Sequence, residues 1–234
     1  MFFDRLRGKN DGITAFLKYP LRLLAVQQLD RVLMIVMKAN VVRESSGELA
    51  HKTPFQVGFF VGKGNTPNKI DSFERLSERG DKNKAKDLIL ESDPETLNEY
   101  YRFIDTCPYC GKKHVNLRFN RDTWRLEHVC DNPECPIMVL PLMIVDNEIY
   151  RYLPSIVVST IDKMAMLGTR NDFKMLFGQV KKKCPVHGFT GNAKCSCASC
   201  GGHVLQNVGL LKDPIPTLFI QDEMHLVKES LGDI

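Results

Sequence analysis

No stretch of this chain is apolar for long enough to cross a bilayer. The longest apolar run, PIMVLPLMIV, is short and is broken by Pro141, whereas a membrane helix needs about 20 consecutive apolar residues. The N-terminus, MFFDRLRGKNDG, has neither an apolar signal core nor a cleavage site, so a cytoplasmic protein without membrane contact is expected. A large excess of one charge sign is lacking as well: 32 Lys and Arg stand against 28 Asp and Glu, a formal net charge of +4. That balance permits binding to a polyanion without requiring it. Also absent is any G-x-x-x-x-G-K-[ST] sequence, the loop that cradles nucleotide phosphates. Gly62-Lys63 in FFVGKGNTPNK comes nearest, but the earlier glycine is missing and Gly64 follows the lysine where Ser or Thr is needed.

What is present is enough apolar material for a core: 234 residues, 43% hydrophobic, suited to one large domain or two small ones. GITAFLKYP reads as a short strand ended by Pro20. LRLLAVQQLDRVLMIVM, residues 21 to 37, has apolar residues at helical spacing, with Asn40 as a stop. FQVGFFVG then reads as an apolar strand. Strand, helix and strand in that order predict a βαβ unit and a parallel sheet, hence an α/β fold. Residues 66 to 100 break the pattern: they are highly charged, with short helical pieces and no strand. Regular structure returns with MVLPLMIVDNEIYRYLPSIVVST, and a helix, IDKMAML, follows Thr160, which could cap it.

Eight cysteines would suit a secreted disulfide scaffold, but these fall in two tight groups at metal-ligand spacing. Cys107, Cys110, Cys130 and Cys135 form two close pairs on turns rich in Pro, Gly, Asn and Asp, able to surround one tetrahedral ion. VNLRFNRDTWRLEHV between them alternates as a hairpin should. His114 and His128 are spare donors, expected at the surface because four thiolates complete the set. In the second group, CPVHG and CASCGG each join a ligand pair to a glycine that lets the backbone turn under the metal. Cys184, His187, Cys197 and Cys200 are the assigned ligands; Cys195 could replace Cys197. Two structural zinc ions are the cofactors this predicts. A Cys184–His187 catalytic dyad is the competing reading. Nearby basic residues (Lys112, Lys113, Arg118, Arg121, Arg125 and Lys181 to Lys183) suit phosphate contact, and a solvated face accounts for them equally well.

Near the end, TLFIQDEMHLV leads a mostly apolar run into Asp222 and Glu223, with His225 beyond. Nucleotide-hydrolysing α/β domains carry a metal-binding acid at this point, because side chains at the carboxyl end of a parallel strand open into the ligand crevice. Acidic residues ending a strand in a plain surface turn are the bland alternative.

FIQDEMHLV resembles motif II, the DExH box, of the superfamily 2 helicases. LKYPLRLLAVQQLDR resembles their motif Ia, and PSIVVSTIDKMAML the segment in which a strand ends in Thr beside bound nucleic acid. The three occur in the family's order. KYPLRLL, EIYRYLPS…TIDK, CPVHGF and QDEMHL are similar in particular to the helicase subunits of DISARM, a bacterial anti-phage system. The resemblance implies a RecA-like first motor domain in three pieces, residues 1–62, 151–180 and 209–234. Between them would lie a charged helical insertion with the four-cysteine ribbon (63–150) and a second zinc insertion (181–208). It further implies that Asp222 coordinates Mg²⁺ of Mg-ATP, Glu223 acts as base for water, and His225 couples the nucleotide site to DNA. Arg22 and Thr160 would touch DNA phosphates, and other defence-system subunits would be partners. The family's phosphate loop would precede FFDRLRG, and its second motor domain would follow KESLGDI. The resemblance therefore implies a fragment that hydrolyses no ATP by itself. A stand-alone zinc-ribbon nucleic-acid-binding protein without enzymatic activity is the alternative.

Overall fold

The computed structural model describes residues 1–61, 66–71, 88–89, 93–161, 163, 171–195, 197 and 200–223. A short helix α1 (Phe2–Leu6) precedes strand β1 (Ala15–Tyr19), helix α2 (Arg22–Ser45) and strand β2 (Val57–Phe60). Two-residue strands β3 (Ile70–Asp71) and β4 (Leu88–Ile89) follow, then helix Pro94–Tyr101, capped by Asp93, whose carboxylate accepts from the Thr96 N–H at 2.8 Å. Strands β5 (Val115–Asn120) and β6 (Arg125–Cys130) form an antiparallel hairpin. Next come β7 (Leu142–Met143), helix Asp146–Tyr152, β8 (Ile156–Thr160) and a 3₁₀ helix, Asn171–Phe177. The last strands are β9 (Lys182–Cys184), β10 (Gly188–Thr190), β11 (Gln206–Asn207) and β12 (Leu218–Gln221).

Five of these strands make one sheet in the order β12-β1-β8-β2-β7, and every pairing in it is parallel. The expected α/β fold with a parallel sheet is present. Because side chains alternate across a strand, β1, β2 and β8 feed two cores. Ala15, Val57, Phe59, Ile156 and Val158 pack with the α2 residues Ala25, Leu29, Leu33 and Val36. Phe16, Phe60 and Val157 pack with Ile149, Tyr150, Phe173 and Leu176 on the other face. The closeness of that second layer requires Gly58, since a Cβ there would lie 2.7 Å from the Pro154 ring.

Several sequence expectations are corrected. Helix α2 does not stop at Asn40. Asn40 is buried inside it, donating to the Phe55 carbonyl and accepting from the Phe55 N–H, both at 2.8 Å. With both amide groups engaged elsewhere, its side chain no longer competes for helix backbone. The interval 66 to 100 does contain strand, since β3 pairs in parallel with β4. The main sheet already resumes at β7, inside the interval read as an insertion. Finally, β12 is not buried. Among the described residues it pairs only with β1, and Leu218, Phe219 and Ile220 stay 49%, 46% and 48% exposed.

Candidate metal centres and the carboxyl rim

The first cysteine group forms as its spacing predicts. The sulfur atoms of Cys107, Cys110, Cys130 and Cys135 all lie within 4.8 Å of one another, with Cys107–Cys135 at 3.9 Å and Cys110–Cys130 at 3.8 Å. Backbone bonds shape each knuckle: the Gly111 N–H reaches the Cys107 carbonyl at 2.8 Å, and the Cys135 N–H reaches the Asn132 carbonyl at 3.0 Å. Gly111 takes φ +71, which glycine adopts without a Cβ clash. Cys130 closes β6, so the hairpin delivers it directly. A hydrogen bond from Asn132 lowers the Cys110 thiol to about 6, while burial pushes Cys130 up to about 12. His114 is exposed, as expected, but His128 is fully buried, and burial lowers its pKa to about 3, which keeps the ring neutral. Both faces of β6 are covered, so an inward position was available that alternation alone does not reveal.

The second group forms with one exchange. Cys184, His187, Cys195 and Cys200 come together, their ligand atoms also within 4.8 Å; Cys197 is not among them. Its sulfur instead faces Arg151, whose Nη1 lies 3.8 Å away, so Cys195 fills the ligand position that spacing had left open. His187 directs Nδ1 into the group, 3.5 Å from Cys184 Sγ and 3.7 Å from Cys195 Sγ, while Nε2 lies 3.0 Å from the Asp122 carbonyl oxygen. That outer bond carries the ring proton and leaves the Nδ1 lone pair facing the thiols. Burial lowers the His187 pKa, favouring the same neutral ring. A cavity of about 610 Å³, lined by Cys195, Cys200, Lys182, Lys194 and His203, opens beside this group.

Both donor sets suit a metal. Soft thiolates with at most one imidazole, four to a site and at tetrahedral spacing, are what structural zinc takes. The two clusters are thus capable of coordinating metal ions, and the four-donor second group leaves no isolated Cys184–His187 dyad.

The acidic pair lies at a different place. Asp222 and Glu223 directly follow β12, at the carboxyl end of the parallel sheet, and both are exposed. The Asp222 N–H donates to the Lys18 carbonyl at 2.9 Å, and Asp222 Oδ1 accepts from the Glu223 N–H at 2.9 Å. Glu223 takes φ 47, where the chain turns away from the strand. Thr160 ends β8 on the same rim and is buried; among the described residues its hydroxyl finds no partner. Arg22, exposed, opens α2 just after β1, whose Tyr19 is in register with Thr160. His225, Gly62 to Gly64 and most of the helix expected after Thr160 lie outside the described residues.

A polar assembly that spacing did not indicate lies between the two metal groups. Arg151 and Tyr152, at the end of helix Asp146–Tyr152, bond both to the β5–β6 turn and to the Val186–His187 backbone. No motif marks them; only the rarity of an arginine beside buried apolar residues could have drawn attention to Arg151.

No protein-family model matches the chain. It is similar to DISARM protein DrmA of Bacillus paralicheniformis. Identity is 32% over 237 residues, an alignment that takes in 97% of this chain and 20% of that protein. The chain therefore spans 20% of the length of the curated relative it matches. Among the described residues, no helix is long and apolar enough to cross a membrane.

Proposed function

We propose that this chain is part of the first RecA-like motor domain of an ATP-dependent DNA helicase or translocase of superfamily 2, acting in bacterial anti-phage defence. The observation that carries the reading is the position of Asp222 and Glu223 at the carboxyl rim of an all-parallel sheet. Ligands of open α/β sheets bind at that rim. The similarity to DISARM protein DrmA supports the defence assignment.

In this reading Asp222 supplies a hard oxygen donor for Mg²⁺, which offsets phosphate charge when bound. Glu223 accepts a proton from the attacking water, and His225 links this rim to the DNA. Arg22 and the turn after Thr160 meet DNA phosphates, helped by α2, whose first N–H groups have no side-chain cap. Zinc would be held by Cys107, Cys110, Cys130 and Cys135, and by Cys184, His187, Cys195 and Cys200. The part of 63–150 that precedes β7, and 181–208, act as zinc-bearing insertions in the motor domain.

The test is DNA-stimulated ATP hydrolysis by the chain alone and by the chain with its flanking coding sequence. Activity is expected only in the longer protein, and Glu223→Gln should lower its turnover at least about 100-fold, the usual worth of a positioned base. Undiminished turnover in that variant would overturn the reading. A non-catalytic zinc-ribbon protein that binds nucleic acid is the second reading, favoured by Lys182 and Lys194 beside the second cluster. It predicts DNA binding with no hydrolysis in either form.

A further inference from the structure

We infer that the second metal centre is composite: its imidazole ligand is oriented by the first ribbon, and Arg151 is the positioning residue that joins the two. The inference rests on the metal-binding reading of the clusters.

His187 is the only donor of the second group that is not a thiolate, and its single in-plane lone pair is thrown out of line by rotation about Cβ–Cγ, a torsion that a cysteine does not have. Its orientation depends on Nε2 meeting the Asp122 carbonyl, which belongs to the turn between β5 and β6. That turn is itself fixed: Asn120 Oδ1 accepts from the N–H groups of Asp122 and Thr123, at 3.1 and 3.2 Å. The guanidinium of Arg151, 2% exposed, then spans the joint. Its Nη2 donates to the Trp124 carbonyl at 2.7 Å and its Nη1 to the His187 carbonyl at 3.1 Å. The Tyr152 hydroxyl lies 3.0 Å from the Thr123 carbonyl and 3.1 Å from that of Val186, so its one proton is shared between the ribbons. Gly188 lets the contact close. It takes φ +77, and a Cβ there would stand 2.3 Å from the Arg151 carbonyl oxygen.

The geometry runs through to the first centre. Strand β6 ends at Cys130, a ligand of that centre, and begins at the turn that holds His187. Six extended residues cover about 20 Å. One hairpin therefore carries a metal ligand at one end and orients the other centre's ligand at its opposite end. The ribbons are one unit, and metal held at the first centre steadies metal held at the second.

The experiment uses the whole chain loaded with zinc, or with cobalt(II), whose spectrum separates a four-thiolate site from one with a nitrogen donor. Release to a chromogenic chelator is followed for each centre. Arg151→Met should speed release from the second centre about tenfold, as loss of an outer-shell partner does, and alter its cobalt spectrum while sparing the first. Arg151→Lys should rescue part of the effect. Tyr152→Phe, which deletes one hydroxyl, should give a smaller change of the same sign and stands in if Arg151→Met does not fold. Cys107→Ser with Cys110→Ser should likewise speed release from the second centre. Second-centre release within twofold of wild type in Arg151→Met and Tyr152→Phe, or in the double-serine chain, would overturn the inference. Wild-type chain holding fewer than two metals per molecule would instead remove the metal reading beneath it.

Discussion

The two metal groups solve the same problem with different degrees of enclosure. In the first, Cys107, Cys130 and Cys135 are buried in the same apolar cluster as α2 and β2, so the thiols are part of the main core. In the second, Cys195 and Cys200 are only half-buried beside an open cavity, and an imidazole replaces one sulfur. An insertion too small for its own core needs a metal in either case. Only the first is also needed by the sheet beside it. A local centre and a core centre should therefore fail differently.

The largest effect should separate them. Cys107→Ser is expected to lower the melting temperature by about 10 °C or more, the shift that loss of roughly 3–5 kcal/mol brings in a chain of this size. Cys184→Ser should cost clearly less and open protease sites first around 184–200. Equal losses from the two substitutions, measured by calorimetry, would erase the distinction.

A second test sharpens the donor assignment. Cys195→Ser should weaken the second centre's metal affinity by more than the roughly 10- to 100-fold that outer contacts are worth. Cys197→Ser, at a thiol that faces Arg151 and is not one of the four grouped donors, should keep both metals bound. Loss of metal in the Cys197 variant and retention in the Cys195 variant would reverse the roles.

The smallest effect concerns Glu148, buried within the helix that joins the ribbons. Burial pushes its carboxyl up to about 7, well above the ordinary carboxylate range, against the pull of Arg125. A folded-state pKa raised in this way favours the native state while the group is protonated, and that advantage is lost as pH rises through the folded value. Wild-type stability should therefore fall by about 1 kcal/mol between pH 6 and pH 7 and then level off. Glu148→Gln keeps an acceptor for the Leu126 N–H, now 2.6 Å from Glu148 Oε1, and should remove that slope. Denaturant unfolding at the two pH values measures it; parallel slopes in both proteins would contradict the assignment.

What the sequence made legible was whatever depends on neighbours along the chain. The apolar runs around Phe16, Phe59 and Val157 announced parallel strands, and the Cys107–Cys110 spacing announced a metal knuckle. What escaped depends on neighbours in space. Asn40 looked like a helix stop because its partner, Phe55, lies beyond the end of the helix. Cys195 and Cys197 are two residues apart and chemically identical, so only the position of Arg151 separates them. An apolar strand reads the same whether one neighbour flanks it or two, which is why β12 looked buried. Asp222 and Glu223 could be assigned to the end of a strand, which among the described residues lies at the edge of the sheet.

That edge has a polarity of its own. In a parallel ladder, alternate residues turn their amides to the same side. Leu218 and Asp222 give theirs inward, to the carbonyls of Thr14 and Lys18. Phe219 and Gln221 point theirs outward. Any further strand that extends the sheet must dock in register with those two amides, beside the acidic turn that follows them.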